Sequence, residues 1–400
     1  MILLNDIYSA QEKMQGMIHK TPLDYSKTFS SIAKNEIYLK LENLQKTGSF
    51  KVRGSFNKMS SLKKEEISKG VIAASAGNHA QGVAFSSHLL NIPCTIVMPK
   101  GAPLSKIQAT RHYGAEVELY GSVFDEALDY ALELKDKTGA AFVHPFDDHL
   151  VIAGQGTVGL EILDQLPEVE VVVCPVGGGG LIAGLALAIK EMKPSVKIYG
   201  VEALACPSMK QSLHENKVVS INSMPTMADG IAVKKPGELT FQIVQKYVDE
   251  IFCVDEMEIA RTMLMILERN KLLVEGSGAS SLASLLYQKI PIEGKKAVAV
   301  ISGGNVDVSF ISRIIERGMV EAGRFVHFGL SLKDKPGELE KLLGIITLLE
   351  ANVLNLSLEH MGEKIYPGYA VLQLSLETKN HTHVEHIFKE LINKGYEIIQ

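Results

Sequence analysis

Four short segments carry residue types whose spacing suits chemistry on a small charged molecule. In T-G-S-F-K-V-R-G, Thr47 to Gly54, Lys51 follows an aromatic and two small residues. An amine acts as a Schiff-base nucleophile only when neutral, which requires partial desolvation and is helped by nearby cations. Phe50 would supply an apolar wall and Arg53 a charge, although the same residues also suit an ordinary surface lysine. In S-A-G-N-H-A-Q-G, Ser75 to Gly82, a strand-to-helix turn would present amides to an anion such as a carboxylate. Asn78 suits a neutral or phenolic oxygen, and His79 reads either as a base or as a structural hydrogen-bonder. In V-G-G-G-G-L, Val176 to Leu181, four glycines would let several backbone N–H groups converge on a phosphate at a helix N-terminus. No Lys-Ser/Thr pair follows, so this is not a Walker A loop. Gly178, Gly180 and Ala183 also match G-x-G-x-x-G/A, with Glu202 placed as a dinucleotide fold would require. In S-G-G-N, Ser302 to Asn305, a hydroxyl would meet a ring nitrogen or the segment would be a plain turn.

These segments need elements to position them. Strand-type runs at Ile37–Leu41, Val71–Ala74, Cys94–Met98, Ala115–Tyr120, Val171–Cys174, Lys197–Val201 and Ala297–Ile301 alternate with helical patterns such as Gly77–Leu90, Ser105–Tyr113 and Val123–Lys137. Such alternation predicts an α/β architecture with a parallel, helix-covered sheet. Three of the glycine loops directly follow strands, where ligands bind in open α/β sheets, so the loops predict one composite site. The pattern changes near Gly323. Val326, Phe328, Leu330 and Leu332 alternate as in a half-buried strand; a helix pattern follows K-D-K-P-G-E-L; Leu354, Leu356 and Leu358 alternate again. Tyr369 to Leu376, His383 to Asn393 and Tyr396 to Ile399 complete a β-α-β-β-α-β order, the ferredoxin-like split.

Composition narrows the classes. With 400 residues, 46% hydrophobic and 22% charged, the chain is neither disordered nor fibrous. A formal net charge of -5 gives no global basic field for nucleic acid or anionic membranes. Cys94, Cys174, Cys206 and Cys253 are scattered, without a disulfide framework or a zinc pattern, as in a reducing compartment. The N-terminus lacks a secretory n-region. Val171 to Ile189 carries no charge over the length of a membrane span, but Pro175 and Gly177 to Gly180 favour a buried strand, loop and helix. A cytoplasmic protein is expected.

Taken together the loops resemble fold type II pyridoxal phosphate enzymes, and within them the threonine dehydratases (threonine ammonia-lyases). S-F-K-V-R-G, S-A-G-N-H-A-Q-G, G-G-G-G-L, T-M-A-D-G-I-A-V-K-K-P-G (Thr226 to Gly237), V-E-G-S-G-A (Val274 to Ala279) and S-G-G-N occur in that family's order over nearly the whole chain. The resemblance removes the dinucleotide reading, since such an enzyme has no use for the Lys51 motif. It implies a two-lobed, tryptophan synthase β-like catalytic domain over residues 1–320, with a small lobe inserted at about 48–147. It implies pyridoxal 5'-phosphate as cofactor, held by Lys51 as a Schiff base. Phe50 would stack on the ring and Asn78 would bond its phenolic oxygen. Gly177, Gly178, Gly179 and Gly180 with Leu181 would cradle the phosphate, and Ser302 would face the pyridine nitrogen. Ser75, Gly77, Asn78 and His79 would hold the substrate carboxylate. A neutral serine at the ring nitrogen leaves a weaker electron sink, suited to elimination. The implied reaction converts L-threonine to 2-oxobutanoate and ammonia, with L-serine as a further substrate; serine dehydratase or serine racemase is the alternative. In related racemases a serine acts as second base where this chain has Ala76. Racemases also bind a divalent metal near G-V-E; Glu202 is present, but Ser208 stands at the matching aspartate position, so no metal is expected.

Residues 325–400 resemble an ACT domain, an amino-acid-sensing module, through K-D-K-P-G-E-L and L-L-E-A-N-V (Leu348 to Val353). The resemblance implies an effector site at Asp334, Pro336, Gly337, Glu338, Leu339 and Asn352, with isoleucine or valine as effector if the enzyme is biosynthetic. It also implies a homodimer or homotetramer.

Overall fold

The computed structural model describes residues 2–360 and 366–399. The chain divides into two compact units, Met1–Asp307 and Val308–Gln400. In chain order the strands of the first unit are β1 (Leu23–Tyr25), β2 (Glu36–Leu41), β3 (Val71–Ala74), β4 (Cys94–Met98), β5 (Glu116–Leu119), β6 (Ala141–Phe142), β7 (Val171–Pro175), β8 (Lys197–Ala203), β9 (Glu250–Val254) and β10 (Lys296–Ile301). They form two sheets, one ordered β1-β2-β10-β7-β8-β9 and the other β5-β4-β3-β6. Every pairing is parallel except that of the edge strand β1 with β2. The sequence reading omits β1, β6 and β9. The first two are three and two residues long, too short to show a period.

β7 is buried along its whole length, as expected for a parallel strand covered on both faces. It runs into the glycine loop and then the helix Gly180–Met192, whose first ten residues are all buried. The uncharged stretch from Val171 is therefore core, and no helix among the described residues is long and apolar enough to cross a membrane. This helix packs closely on the helix His149–Gln165: a Cβ on Gly184 would lie 2.2 Å from the Ile152 carbonyl oxygen. In the smaller sheet β3 feeds the helix Asn78–Leu90. The helix Lys51–Ser60 crosses it at Gly82, where a Cβ would come within 3.1 Å of the Lys51 carbonyl carbon. Both chemistry-bearing helix starts are fixed by that crossing.

The second unit begins with the helix Val308–Glu321, ahead of the change in hydrophobic pattern at Gly323. It continues through β11 (Phe325–Lys333), the helix Glu338–Leu348, β12 (Asn352–Glu359), β13 (Tyr369–Glu377), the helix His381–Asn393 and β14 (Glu397–Ile399). The sheet is antiparallel, ordered β12-β13-β11-β14, the ferredoxin-like βαββαβ arrangement. Phe328, Leu330 and Leu332 of β11 face Leu342, Ile346, Ile387 and Leu391 of the helices in one core. Leu354 departs from the strict alternation expected of it. The register shifts between Val353 and Asn355, which makes Leu354 the extra residue of a bulge and leaves it 50% exposed.

Candidate active site

The Lys51 loop is stitched to the Ser302 loop backbone to backbone. Ser49 bridges Gly303, the Phe50 N–H donates to the Ser302 carbonyl (3.2 Å), and the Gly304 N–H donates to the Gly48 carbonyl (2.9 Å). Lys51 opens its helix, and its Nζ donates to the Pro145 carbonyl oxygen (3.0 Å), 5.3 Å from the Phe50 ring centre. Burial pulls the Lys51 amine down to about 8, against the negative charge of Glu275, which raises it. At pH 7 about one amine in ten would then be neutral. The expected help from Arg53 is corrected by the structure. Arg53 turns into the core and pairs with both oxygens of Glu42 (2.7 and 2.8 Å) and of Glu161 (2.6 and 3.0 Å). Desolvation, not a neighbouring cation, loosens the Lys51 proton.

Asn78, at the first position of its helix, lies in a chain of hydrogen bonds. Asn305 Nδ2 donates to the Thr47 carbonyl (2.7 Å) and to Asn78 Oδ1 (2.8 Å), and Asn78 Nδ2 donates to both carboxylate oxygens of Glu275 (2.8 and 3.0 Å). Burial pushes the Glu275 carboxyl up to about 7, with Asn78 opposing. The His79 side chain is held away from this cluster, because its Nε2 lies 2.8 Å from the Val143 carbonyl. A carbonyl only accepts, so Nε2 carries the proton. Burial, with the Lys51 charge, drives this imidazole down to about 3, so it is neutral and serves as a strut rather than a base. Ser75 Oγ accepts the Gly77 N–H (3.2 Å), and the space beside the Gly77 Cα is open.

The four-glycine loop lies under the segment His144–Asp147. A Cβ on Gly178 would fall 2.4 Å from the Phe146 ring, and one on Gly177 would fall 2.9 Å from Ile231 Cα. Asp147 accepts the N–H groups of Glu238, Leu239 and Thr240 (3.0–3.1 Å), so it caps the helix Glu238–Tyr247. Thr240 Oγ1 donates to the Gly178 carbonyl (2.6 Å). Ser302 is buried beside these loops. The Leu181 side chain enters the core of the large sheet, which leaves its backbone at the loop.

A family model of pyridoxal-phosphate dependent enzymes matches residues 14–303. The chain is 53% identical over 398 residues to the L-threonine ammonia-lyase of Thermotoga maritima, spanning 100% of this chain and 99% of that protein. It is 47% identical over 390 residues to the L-threonine ammonia-lyase of Geobacter sulfurreducens, spanning 98% and 97%. The solved structure of the processed form of threonine deaminase isoform 2 from Solanum lycopersicum superposes with a TM-score of 0.74 at 40% identity, over 78% of this chain and 93% of that one. The chain belongs to the pyridoxal-phosphate dependent enzyme family.

The residues present fit that family's cofactor. A half-buried, partly neutral amine hydrogen-bonded to a carbonyl stands ready for an aldehyde. A glycine loop that admits no Cβ opens the helix Gly180–Met192, where amides favour a phosphate. Glu202, by contrast, is spent inside the fold. Its carboxylate accepts the N–H groups of Met209 (2.8 Å) and Lys210 (2.9 Å), and burial pushes it up to about 8. Ser208 Oγ donates to the Val233 carbonyl (2.5 Å). No group of three His, Cys, Asp or Glu that could hold a metal occurs among the described residues.

The sequence reading gives no role to three parts of this site: Glu275 and Asn305, which lie inside quoted motifs, and the His144–Asp147 segment, which it does not mention. Glu275 was detectable as the lone acid in an apolar and small-residue run, Leu272 to Leu286. In the second unit, Asp334, Pro336, Gly337, Glu338 and Leu339 share the turn after β11, and His360 Nδ1 meets Asp334 Oδ2 at 3.1 Å. Asn352 is not with them. It pairs with Glu377, which pairs with Phe325 at the opposite end of β11 from Lys333. Eight residue steps of strand put about 26 Å between those ends.

Proposed function

We propose that the chain is a threonine ammonia-lyase, converting L-threonine to 2-oxobutanoate and ammonia and acting on L-serine as a second substrate. The observation that carries this reading is the half-buried Lys51 amine, which donates to a backbone carbonyl and is poised near pH 8. Relatives that span the whole chain carry the same activity in their names.

Pyridoxal phosphate, when bound, supplies an aldehyde that condenses with amines and a ring that takes up the electron pair left by the α-proton. Lys51 would hold it, Asn78 would donate to its ring oxygen, and Phe50 would lie against its ring. Ser302 would face the ring nitrogen, and Gly177 to Gly180 with the Leu181 amide would cradle the phosphate. The first-turn N–H groups of the helix Asn78–Leu90 lack partners within that helix and would meet the substrate carboxylate, with Ser75 and Gly77 lining the approach. Once released, the Lys51 amine would take the α-proton. The β-hydroxyl departs as water, and that water is regained when the released enamine hydrolyses, so threonine yields one 2-oxobutanoate and one ammonia. Ala76 carries no proton acceptor, so one face of the substrate lacks a base and racemisation is disfavoured.

The second unit would act as an ACT sensor. Isoleucine or valine would bind at the turn Asp334 to Leu339 and be felt as differential affinity for two states. If Asn352 takes part, the register requires it to come from a second copy, which suits a homodimer or homotetramer. A cytoplasmic role in isoleucine biosynthesis or threonine catabolism would suit this substrate. The test is direct: the purified protein with pyridoxal phosphate should show a visible band that borohydride removes, and should release 2-oxobutanoate from threonine. Lys51→Ala should lose both; a variant keeping the band and full turnover would overturn the assignment.

A further inference from the structure

Glu275 has a position that its role in folding does not explain. It precedes the helix Gly276–Leu286, yet its side chain makes no cap hydrogen bond to that helix. It is only 4% exposed, and the sheltered carboxylate instead takes the Asn78 amide through both oxygens. The neighbouring backbone is shaped to admit it. A Cβ on Gly303 would stand 2.4 Å from Glu275 Oε1 and 3.2 Å from Asn78 Nδ2. The Glu275 N–H donates to the Gly303 carbonyl (3.1 Å), which ties the acid to the Ser302 loop.

The hydrogen bonds fix which way Asn78 points. The Thr47 carbonyl only accepts, so Asn305 must turn its amide nitrogen that way, and its second N–H reaches Asn78 Oδ1. Asn78 Nδ2 then faces the Glu275 carboxyl, which is an acceptor-only group once ionised. An amide nitrogen carries two hydrogens; one shared between the two Glu275 oxygens leaves the other for a ligand.

We propose that Glu275 is the positioning residue of this site, holding Asn78 in the orientation that offers its free N–H to the cofactor's ring oxygen and setting a negative charge against the Lys51 amine. This rests on the cofactor placement proposed above. The charged groups acting on Glu275 are Asp229, which raises its proton affinity, and Lys106 and Lys51, which lower it; burial raises it most. The Glu275 charge in turn is what opposes burial at Lys51.

The experiment compares wild type, Glu275→Gln and Glu275→Ala by titrating pyridoxal phosphate into the cofactor-free protein, following the visible band across pH, and separating kcat from KM for threonine. Glutamine keeps an oxygen for Asn78 but no charge. Its cofactor affinity should stay within about threefold of wild type, while the pH midpoint of the band moves down. Alanine frees Asn78. Its cofactor affinity and kcat should fall by about tenfold to a hundredfold, the worth of a hydrogen bond to a charged group, with KM changed less. If both variants keep the wild-type affinity and pH midpoint, Glu275 is mere filling and the inference is wrong. If wild type itself develops no band, the underlying cofactor placement fails and the inference falls with it.

Discussion

Replacing Arg53 by methionine tests whether the cluster behind Lys51 is a closed charge set. Arg53, Lys40, Glu42 and Glu161 are all nearly inaccessible, with side-chain exposures of 2%, 0%, 0% and 8%. Methionine fills similar space but removes the cation paired directly with Glu42, leaving it only the charge of Lys40, which stays paired with Glu161 at 2.6 Å. In the native cluster burial raises the Glu42 proton affinity, but the charge and hydrogen bonds of Arg53 outweigh it and hold the carboxyl below its usual range. That contribution to stability is present above the unfolded-state pKa and is lost only as pH falls through the lower folded value. It is therefore nearly constant from pH 5 to 7. In the variant only the Lys40 charge and the Thr21 hydroxyl still oppose burial, so Glu42 is expected to fold protonated. Protonating a carboxyl of ordinary pKa about 4.3 costs about 3.7 kcal/mol at pH 7 and about 1 kcal/mol at pH 5, at about 1.36 kcal/mol per unit. The pH 7 figure falls within the roughly 3–5 kcal/mol typical of breaking a buried pair. Urea unfolding of the cofactor-free protein at pH 5, 6 and 7 measures this, since bound ligand would mask it. The variant should lose most at pH 7 and recover toward pH 5, opposite to an ordinary acid-labile protein. An equal loss at both pH values would refute the charge argument and leave only packing.

Three further outcomes follow from the same structure. In the cofactor-free protein Lys51 should react with amine-directed reagents with a midpoint near pH 8 rather than the ordinary 10.5, and pyridoxal phosphate should protect it; mass spectrometry of the labelled peptide reads both. Gly178→Ala should weaken pyridoxal phosphate binding by about fivefold to a hundredfold, because its Cβ would meet the Phe146 ring at 2.4 Å, whereas Gly344→Ala, with nothing within 4 Å, should leave binding unchanged. Asp334→Ala should abolish any response of threonine turnover to isoleucine or valine without altering turnover in their absence; a retained response moves the effector site away from that turn.

The elements around the site were readable because each carries its own period. β7 is a run of buried apolar residues, and β11 carries apolar residues at every second position from Val326 to Leu332, of which Phe328, Leu330 and Leu332 are buried. What failed was local in a different sense. Leu354 obeys the alternation in sequence but sits on a bulge, which hydrophobicity does not encode. Asn352 lies next to its motif partners along the chain but at the far end of the sheet, because antiparallel pairing sends β12 back along β13. The helix Val308–Glu321 buries only Ile314 among its described residues, so its pattern gave no sign of which unit it would join. Glu275 and Asn305 matter through partners 197 and 227 positions away from each. A long-range pair of that kind leaves no trace in the composition of either segment.

Arg53 shows how the same limit misassigns a residue that sequence does find. Two positions from Lys51, it looked like the cation that loosens the amine. A helix turns residues i and i+2 to different faces, so the spacing that places Lys51 toward Pro145 sends Arg53 into the core. There it fastens the start of the Lys51 helix to Glu161 of the helix His149–Gln165 and to Glu42 beyond β2. The amine is left half-buried where Glu275 supplies its one strong electrostatic influence, and that influence is opposite in sign to the one first expected. The chemistry at Lys51 is therefore set by two terms, burial and a carboxylate. Their opposition places the amine near pH 8, where both of its protonation states are accessible in turn.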